Sequence, residues 1–218
     1  MRYTFFVQPQ VNKRDDTLFG YECLLRKNNN GIWQLPQSFT EISINDQINI
    51  LQKIADLFRE KSLDNLMLSF NLNREQANDP SVLDKIIMLK KDIQPFSLTV
   101  ELTEAIPLAK IKTFSEILHQ YNVELAIDDV GTGSNVFENI HLALPYVDKI
   151  KCAMQNLRMS GQAKLIPEYL KFWSDIAQNY HLGMILEGIE DNTDLKLAEQ
   201  FGIDLLQGYF YGKPALVH

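Results

Sequence analysis

The chain has few of the residues that most often carry catalysis or bind soft metals. Of its 218 residues, two are cysteine (Cys23 and Cys152) and four are histidine (His119, His141, His181 and His218). Each cysteine sits inside an apolar, strand-like run, so the pair reads as small buried hydrophobes in a reducing compartment and not as a disulfide framework. The histidines fall in helical or terminal contexts and read as surface residues, which leaves oxygen atoms as the available metal donors. Basic residues are also scarce: 21 Lys and Arg stand against 28 Asp and Glu, for a net charge of −7. That balance excludes a general binder of nucleic-acid polymers, which needs a basic face toward phosphates. No apolar run approaches the roughly 20 residues of a membrane span. The opening "MRYTFFVQPQ" is broken by Gln8 and Pro9 and lacks the shape of a signal peptide. Linkers, charge blocks and low-complexity tracts are missing too. The expectation is one domain over 1–218, cytoplasmic and away from membranes.

With 45% hydrophobic residues there is enough apolar surface for a large core. Strand-like runs occur at 3–8, 18–25, 66–72, 97–102, 123–129, 146–152, 184–189 and 204–211. Helical spacing occurs at 44–61, 80–91, 112–121, 165–180 and 193–202, with Ile50, Ile54, Leu57 and Phe58 on one stripe. Strands alternating with helices predict βαβ units and a mainly parallel sheet. The first two strands are joined by "PQVNKRDDTLFG", too short for a crossover helix, so they pair antiparallel. Eight strands of this kind fit a modified (β/α)8 TIM barrel whose first strand is antiparallel. A flavodoxin-like open sheet is the rival, and it needs fewer strands. Residues 26–39, "RKNNNGIWQLPQSF", read as an excursion loop.

The polar residues repeat in position. Nearly every strand run carries one near its C-terminal end: Gln8, Glu22, Asn71, Glu101, Asp128 with Asp129, Lys151, Glu187 and Gln207. Singly, each is explained by a bond to a loop amide. Together they converge, because the strand ends of a parallel barrel gather on the face where active sites are built. Five carboxylates on one mouth repel each other unless cations bind there. Oxygen-only donors suit Mg²⁺ or Mn²⁺. Two such ions about 3.5–4 Å apart form a two-metal hydrolysis site. The "GTG" after the acid pair permits a sharp turn there, or is an ordinary strand-to-helix turn. Lys151 reads either as a snorkelling barrel lysine or as a cation orienting water or a phosphoryl oxygen. Phe5, Phe6, Phe70, Phe172 and Trp173 read as core aromatics.

These motifs, "GYECLLR", "LSFNLN", "VELTE", "AIDDVGTG", "LEGIE" and "QGYFY", occur in one order and resemble the EAL-domain family of cyclic-di-GMP-specific phosphodiesterases nearly end to end. The name-giving triplet stands here as Glu22-Cys23-Leu24. The resemblance implies hydrolysis of cyclic-di-GMP to linear pGpG with two Mg²⁺ or Mn²⁺ ions. It implies that Glu22, Asn71, Glu101 and Asp128 hold one ion, and Asp128, Asp129 and Glu187 the other. It makes Lys151 the contact of the attacking water and has Glu190 support that lysine and the second ion. Gln8, Leu24, Arg26 and Gln207 would surround the dinucleotide, with Arg26 toward a phosphate, and Glu104 would anchor the loop 130–136. A homodimer through the region after Asp129 is a further implication. The chain departs from the pattern at Val130, at Ser134-Asn135, and at Ala153, where the family carries an acid two residues after the lysine. The alternative is a degenerate EAL module that acts as a cyclic-di-GMP receptor or protein-interaction domain without turnover.

Overall fold

The computed structural model of the protein describes residues 2–38 and 41–217. Phe39, at the end of the expected loop, and His218, expected at the surface, lie outside the described residues.

Among the described residues, nine strands form the sheet: β1 (Tyr3–Asn12), β2 (Thr17–Asn29), β3 (Ile32–Gln34), β4 (Met67–Leu72), β5 (Ser97–Leu102), β6 (Val123–Ile127), β7 (Lys149–Ala153), β8 (Gly183–Glu187) and β9 (Leu205–Gln207). Between them run α1 (Ile44–Glu60), α2 (Arg74–Ala77), α3 (Val82–Asp92), α4 (Leu108–His119), α5 (Phe137–Ile140), α6 (Met154–Met159), α7 (Ile166–Tyr180) and α8 (Asn192–Gln200). Eight strands close a ring in the order β1-β9-β8-β7-β6-β5-β4-β2, and the β1–β2 pairing completes it. β1 runs antiparallel to both of its neighbours, β2 and β9. Every other pairing around the ring is parallel. This is the barrel with an antiparallel first strand that the short first connection predicts.

Strands of a parallel barrel are covered on both faces, which explains their near-continuous apolar character. All five residues of β7 are buried. The helices supply the outer cover. In α1, Ser43 caps the first turn by accepting from the Asp46 amide, and Ile44, Ile48, Leu51, Ile54, Ala55 and Phe58 form the buried stripe. No helix among the described residues is long and apolar enough to cross a membrane.

Three expectations are corrected. Phe172, expected in the core, is 44% exposed on α7. The segment 26–39 is largely not a loop: β2 continues to Asn29, and β3 folds back on it with Asn28 opposite Trp33. Asn30 and Gly31 turn the chain with φ of 52° and 90°, the two-residue hairpin geometry that Asn-Gly favours. Gln8 and Glu22 are also not at strand ends. They lie in mid-strand, opposite each other in the β1–β2 ladder, because that hairpin extends past the ring.

Candidate active site

The site grows from sheet register. Asn71 on β4 lies beside Glu101 on β5, and Glu22 on β2 beside Ser69 on β4. Glu187 and Gln207 end β8 and β9 side by side. Into this ring Lys151, on β7, projects a fully buried side chain. Its Nζ lies 2.7 Å from Glu101 Oε2, 2.7 Å from Glu187 Oε1, 3.3 Å from Glu22 Oε2 and 3.4 Å from Asp128 Oδ1. Glu22 is further held by Gln207 Nε2 at 2.6 Å and Asn71 Nδ2 at 3.0 Å. Gln207 also donates to Gln8 Oε1 at 3.2 Å and accepts from Gln10 Nε2 at 2.8 Å, so a row of amides backs the acid.

One lysine facing four carboxylates, three of them buried and Asp128 half-buried, cannot neutralise them all. Burial is the largest influence on each acid, and the neighbouring negative charges add to it. Asp128 is pushed up to about 6, Glu187 up to about 8, and Glu101 well above the ordinary range. Glu22 is the exception: burial pushes it up, but the Lys151 charge and the bonds from Gln207, Asn71 and Lys151 outweigh that and lower it. Lys151 is held well above its ordinary value: burial opposes its charge, and the surrounding acids, Asp128 foremost, more than restore it. The site therefore retains protons where it lacks positive charge.

Divalent cations would fill that deficit, and the donors fit them. Asn71 turns its amide nitrogen to Glu22 and leaves Oδ1 buried without a hydrogen-bond partner. Glu101 Oε1 is likewise buried and unpartnered. Asp128, Asp129 and Glu187 each offer an oxygen within 4.8 Å of the others. The donors are all oxygen, as Mg²⁺ or Mn²⁺ requires.

The acid pair stands just past the end of β6. Asp129 adopts φ of 47°, a left-handed conformation that costs a non-glycine residue about 1 kcal/mol. The surrounding bonds enforce it. Its amide donates to Asp128 Oδ1 at 3.0 Å, and its carbonyl accepts from Thr132 Oγ1 at 2.8 Å. The loop that follows closes on itself through Gly131 N to Asn135 O, 2.8 Å. Gly131, with φ of 83°, packs so tightly that a Cβ would lie 2.9 Å from Tyr169 Cε2. The same tyrosine donates to Val130 O at 2.7 Å.

The other expected residues are placed as follows. Leu24 and Arg26 line two hollows, of about 280 and 430 Å³, that share Asn71, Asp128 and Asp129. The Arg26 guanidinium lies over the Phe6 ring at 5.6 Å. Glu104 accepts from the Arg74 amide at 3.1 Å. The loop 130–136 is tied to the β5 end by other groups: the Ala105 amide donates to Ser134 Oγ at 2.9 Å, and Asn135 Nδ2 donates to Thr103 O at 3.2 Å. Glu190 is largely exposed, 3.9 Å from Arg158 in its ion pair.

Four neighbours of the site were not expected. Gln10 shares the face of Gln8 two residues on, a signal the sequence did carry. Asn156, Gln155 and Arg158 come from α6, which starts directly after Ala153. Asn156 Nδ2 donates to Asp129 Oδ1 at 2.9 Å, and Arg158 Nη1 to Gly188 O at 2.7 Å. Polar residues on a short helix look like a solvated face, so their sequence gives no hint of this.

A closed barrel with one reversed strand and an oxygen-lined, charge-deficient mouth defines the class. The family model described as the EAL domain matches residues 2–214, and the chain belongs to that family. It is 26% identical over 225 residues to "Probable cyclic di-GMP phosphodiesterase PdeD" of Escherichia coli (strain K12), covering 97% of this chain and 41% of that protein. "Probable cyclic di-GMP phosphodiesterase PdeG" of the same organism is 25% identical, covering 96% and 44%. The chain thus spans less than half the length of these two relatives. Among solved structures, an EAL domain protein from Listeria monocytogenes EGD-e superposes with a TM-score of 0.81 at 17% identity, over 98% of this chain and 89% of that one. The Bacillus subtilis YKUI protein, solved with cyclic-di-GMP and calcium, superposes with a TM-score of 0.80 at 20% identity, over 98% and 56%. These likenesses concern the fold.

Proposed function

We propose that the protein is a metal-dependent phosphodiesterase that opens cyclic-di-GMP to linear pGpG. The observation that carries this is the ring of four carboxylates around one buried lysine, with Asn71 Oδ1 and Glu101 Oε1 left unpartnered. Such an arrangement is costly unless cations complete it. The names of the relatives supply the substrate class.

Glu22, Asn71, Glu101 and Asp128 would hold one Mg²⁺ or Mn²⁺, and Asp128, Asp129 and Glu187 a second. When bound, two such ions acidify water and neutralise charge developing on a phosphoryl group. The chain's own groups do the rest. Lys151 aligns Glu101 and Glu187 and presents its charge where water and a phosphoryl oxygen would meet. Glu187 is a ligand placed 2.7 Å from Lys151 Nζ that can also accept the proton of the attacking water. Arg26, half-buried between the two hollows, suits a phosphate, and each hollow can take one base of a dinucleotide. Gln207, itself bonded to Gln8, keeps Glu22 oriented. Pairing of two copies across the region after Asp129 belongs to the same reading, since Leu142 and Phe172 are exposed there and Phe137 packs edge-on against Phe172.

The second reading is a receptor that binds cyclic-di-GMP without turnover. In its favour, Lys151 supplies positive charge internally and β7 ends in Ala153 without a carboxylate. The test separates products after incubation with cyclic-di-GMP and Mn²⁺, with Glu22→Ala as control. Linear pGpG from the unmodified protein alone supports the enzyme. Binding without metal and without product supports the receptor.

A further inference from the structure

We propose that Asn156 is the positioning residue for Asp129, and that it sets the affinity of the second cation site. The inference rests on the two-cation reading above. Of the five carboxylates at the mouth, four are partners of Lys151; Asp129 is not among them. Its carboxylate is held instead by Asn156, whose Nδ2 donates to Oδ1 at 2.9 Å. A neutral amide suits this task. It fixes one oxygen without cancelling the charge, so the carboxylate stays available to a cation beside Asp128 and Glu187.

The donor is itself held in place. α6 follows β7 without an intervening loop, so Asn156 sits five residues after Lys151 on a continuous strand-to-helix path. Two residues further on, Arg158 ties the helix to the β8 side, donating to Gly188 O at 2.7 Å and pairing with Asp194. Asp194 in turn accepts from the Glu190 amide at 2.9 Å. The short helix thus spans from Asp129 to the segment just after Glu187, the two acids that with Asp128 would form the second site. The backbone of Asp129 is fixed by its own loop, but its side chain has only this amide to orient it among the described residues.

The test is a Mn²⁺ titration of the whole chain by calorimetry, comparing the unmodified protein with Asn156→Leu, which keeps size and removes the donor. Two sites are expected in the unmodified protein. In the variant one of the two sites should lose roughly 10- to 100-fold in affinity, the size usual for removing a ligand's supporting bond, while the other is unchanged. Turnover of cyclic-di-GMP should recover as Mn²⁺ is raised, which general damage to the fold would not allow. Asn156→Ala serves if the first variant fails to fold. Unchanged binding, or equal weakening of both sites, overturns the role of Asn156 while leaving the enzyme reading intact. Fewer than two sites in the unmodified protein overturns the two-cation reading itself, and the role of Asn156 with it.

Discussion

Lys149 and Lys151 stand two residues apart on one face of β7, and they meet opposite conditions. Lys149 pairs with a single carboxylate, Glu124, which also accepts from Thr99 Oγ1 at 2.9 Å. Charges there balance, and the Glu124 side chain keeps 37% of its exposure to water. Lys151, one layer nearer the strand ends, is 1% exposed and faces four carboxylates. The lower layer is an ordinary ion pair that helps to fill a barrel. The upper layer is a charge deficit that the fold alone does not resolve. The lysine is therefore not itself the signal; the ratio of acids to bases around it is.

The largest effect should follow from breaking the upper layer. Glu22→Ala removes an ion-pair partner of Lys151 and, on the proposed reading, a cation ligand at once. If each cation contributes several kcal/mol to the phosphoryl-transfer transition state, turnover should fall on the order of 10³-fold. Steady-state rates with cyclic-di-GMP and Mn²⁺ check this.

A second effect sharpens the comparison through pH. Asp128 at about 6 and Glu187 at about 8 lie above their ordinary values, so the folded protein binds protons that the unfolded chain has released. That stabilisation is complete below about pH 4, the unfolded carboxylate range, and is lost as pH rises to about 8. The Tm of the metal-free protein should therefore fall between pH 5 and pH 8. Mn²⁺ at about 100 times its Kd should raise Tm by roughly 5–10 °C at pH 8, and by less at pH 5, where protons compete for the same oxygens. A shift independent of pH would mean that the metal binds elsewhere.

The smallest effect should come from the lower layer. Lys149→Met should change turnover less than twofold and cost about 1 kcal/mol or less in stability, since its partner remains in contact with water. Chemical denaturation and the same rate assay measure both. A large loss of activity would mean that the two layers are coupled.

Most of the barrel is legible in the sequence because each parallel strand is a short apolar run interrupted by one polar residue. Asn71, Glu101, Lys151, Glu187 and Gln207 stand out for that reason, and the first connection fixes the direction of β1 by its length alone. The hairpin at Asn30-Gly31 is missed because Lys27, Asn28 and Asn29 carry no apolar alternation, although the Asn-Gly pair is a hairpin signal in its own right. The resemblance places Glu104 and Glu190 at the site; Glu104 accepts from the Arg74 amide, and Glu190 lines the same hollow as Glu187 while pairing with Arg158. Asn156 is invisible to periodicity, since nothing in "MQNLRM" distinguishes a helix face toward a carboxylate from one toward water. Strand ends reveal themselves by contrast with a core. A supporting side chain from the next helix needs the fold before it can be recognised.

On the proposed reading, two catalytic cations meet the charge deficit at the barrel mouth. The most direct measurement follows cyclic-di-GMP cleavage as metal-stripped protein is titrated with Mn²⁺. No pGpG is expected without metal, and full turnover only after the second equivalent is bound. Cleavage by the stripped protein, or saturating Mn²⁺ with bound but intact cyclic-di-GMP, would contradict it.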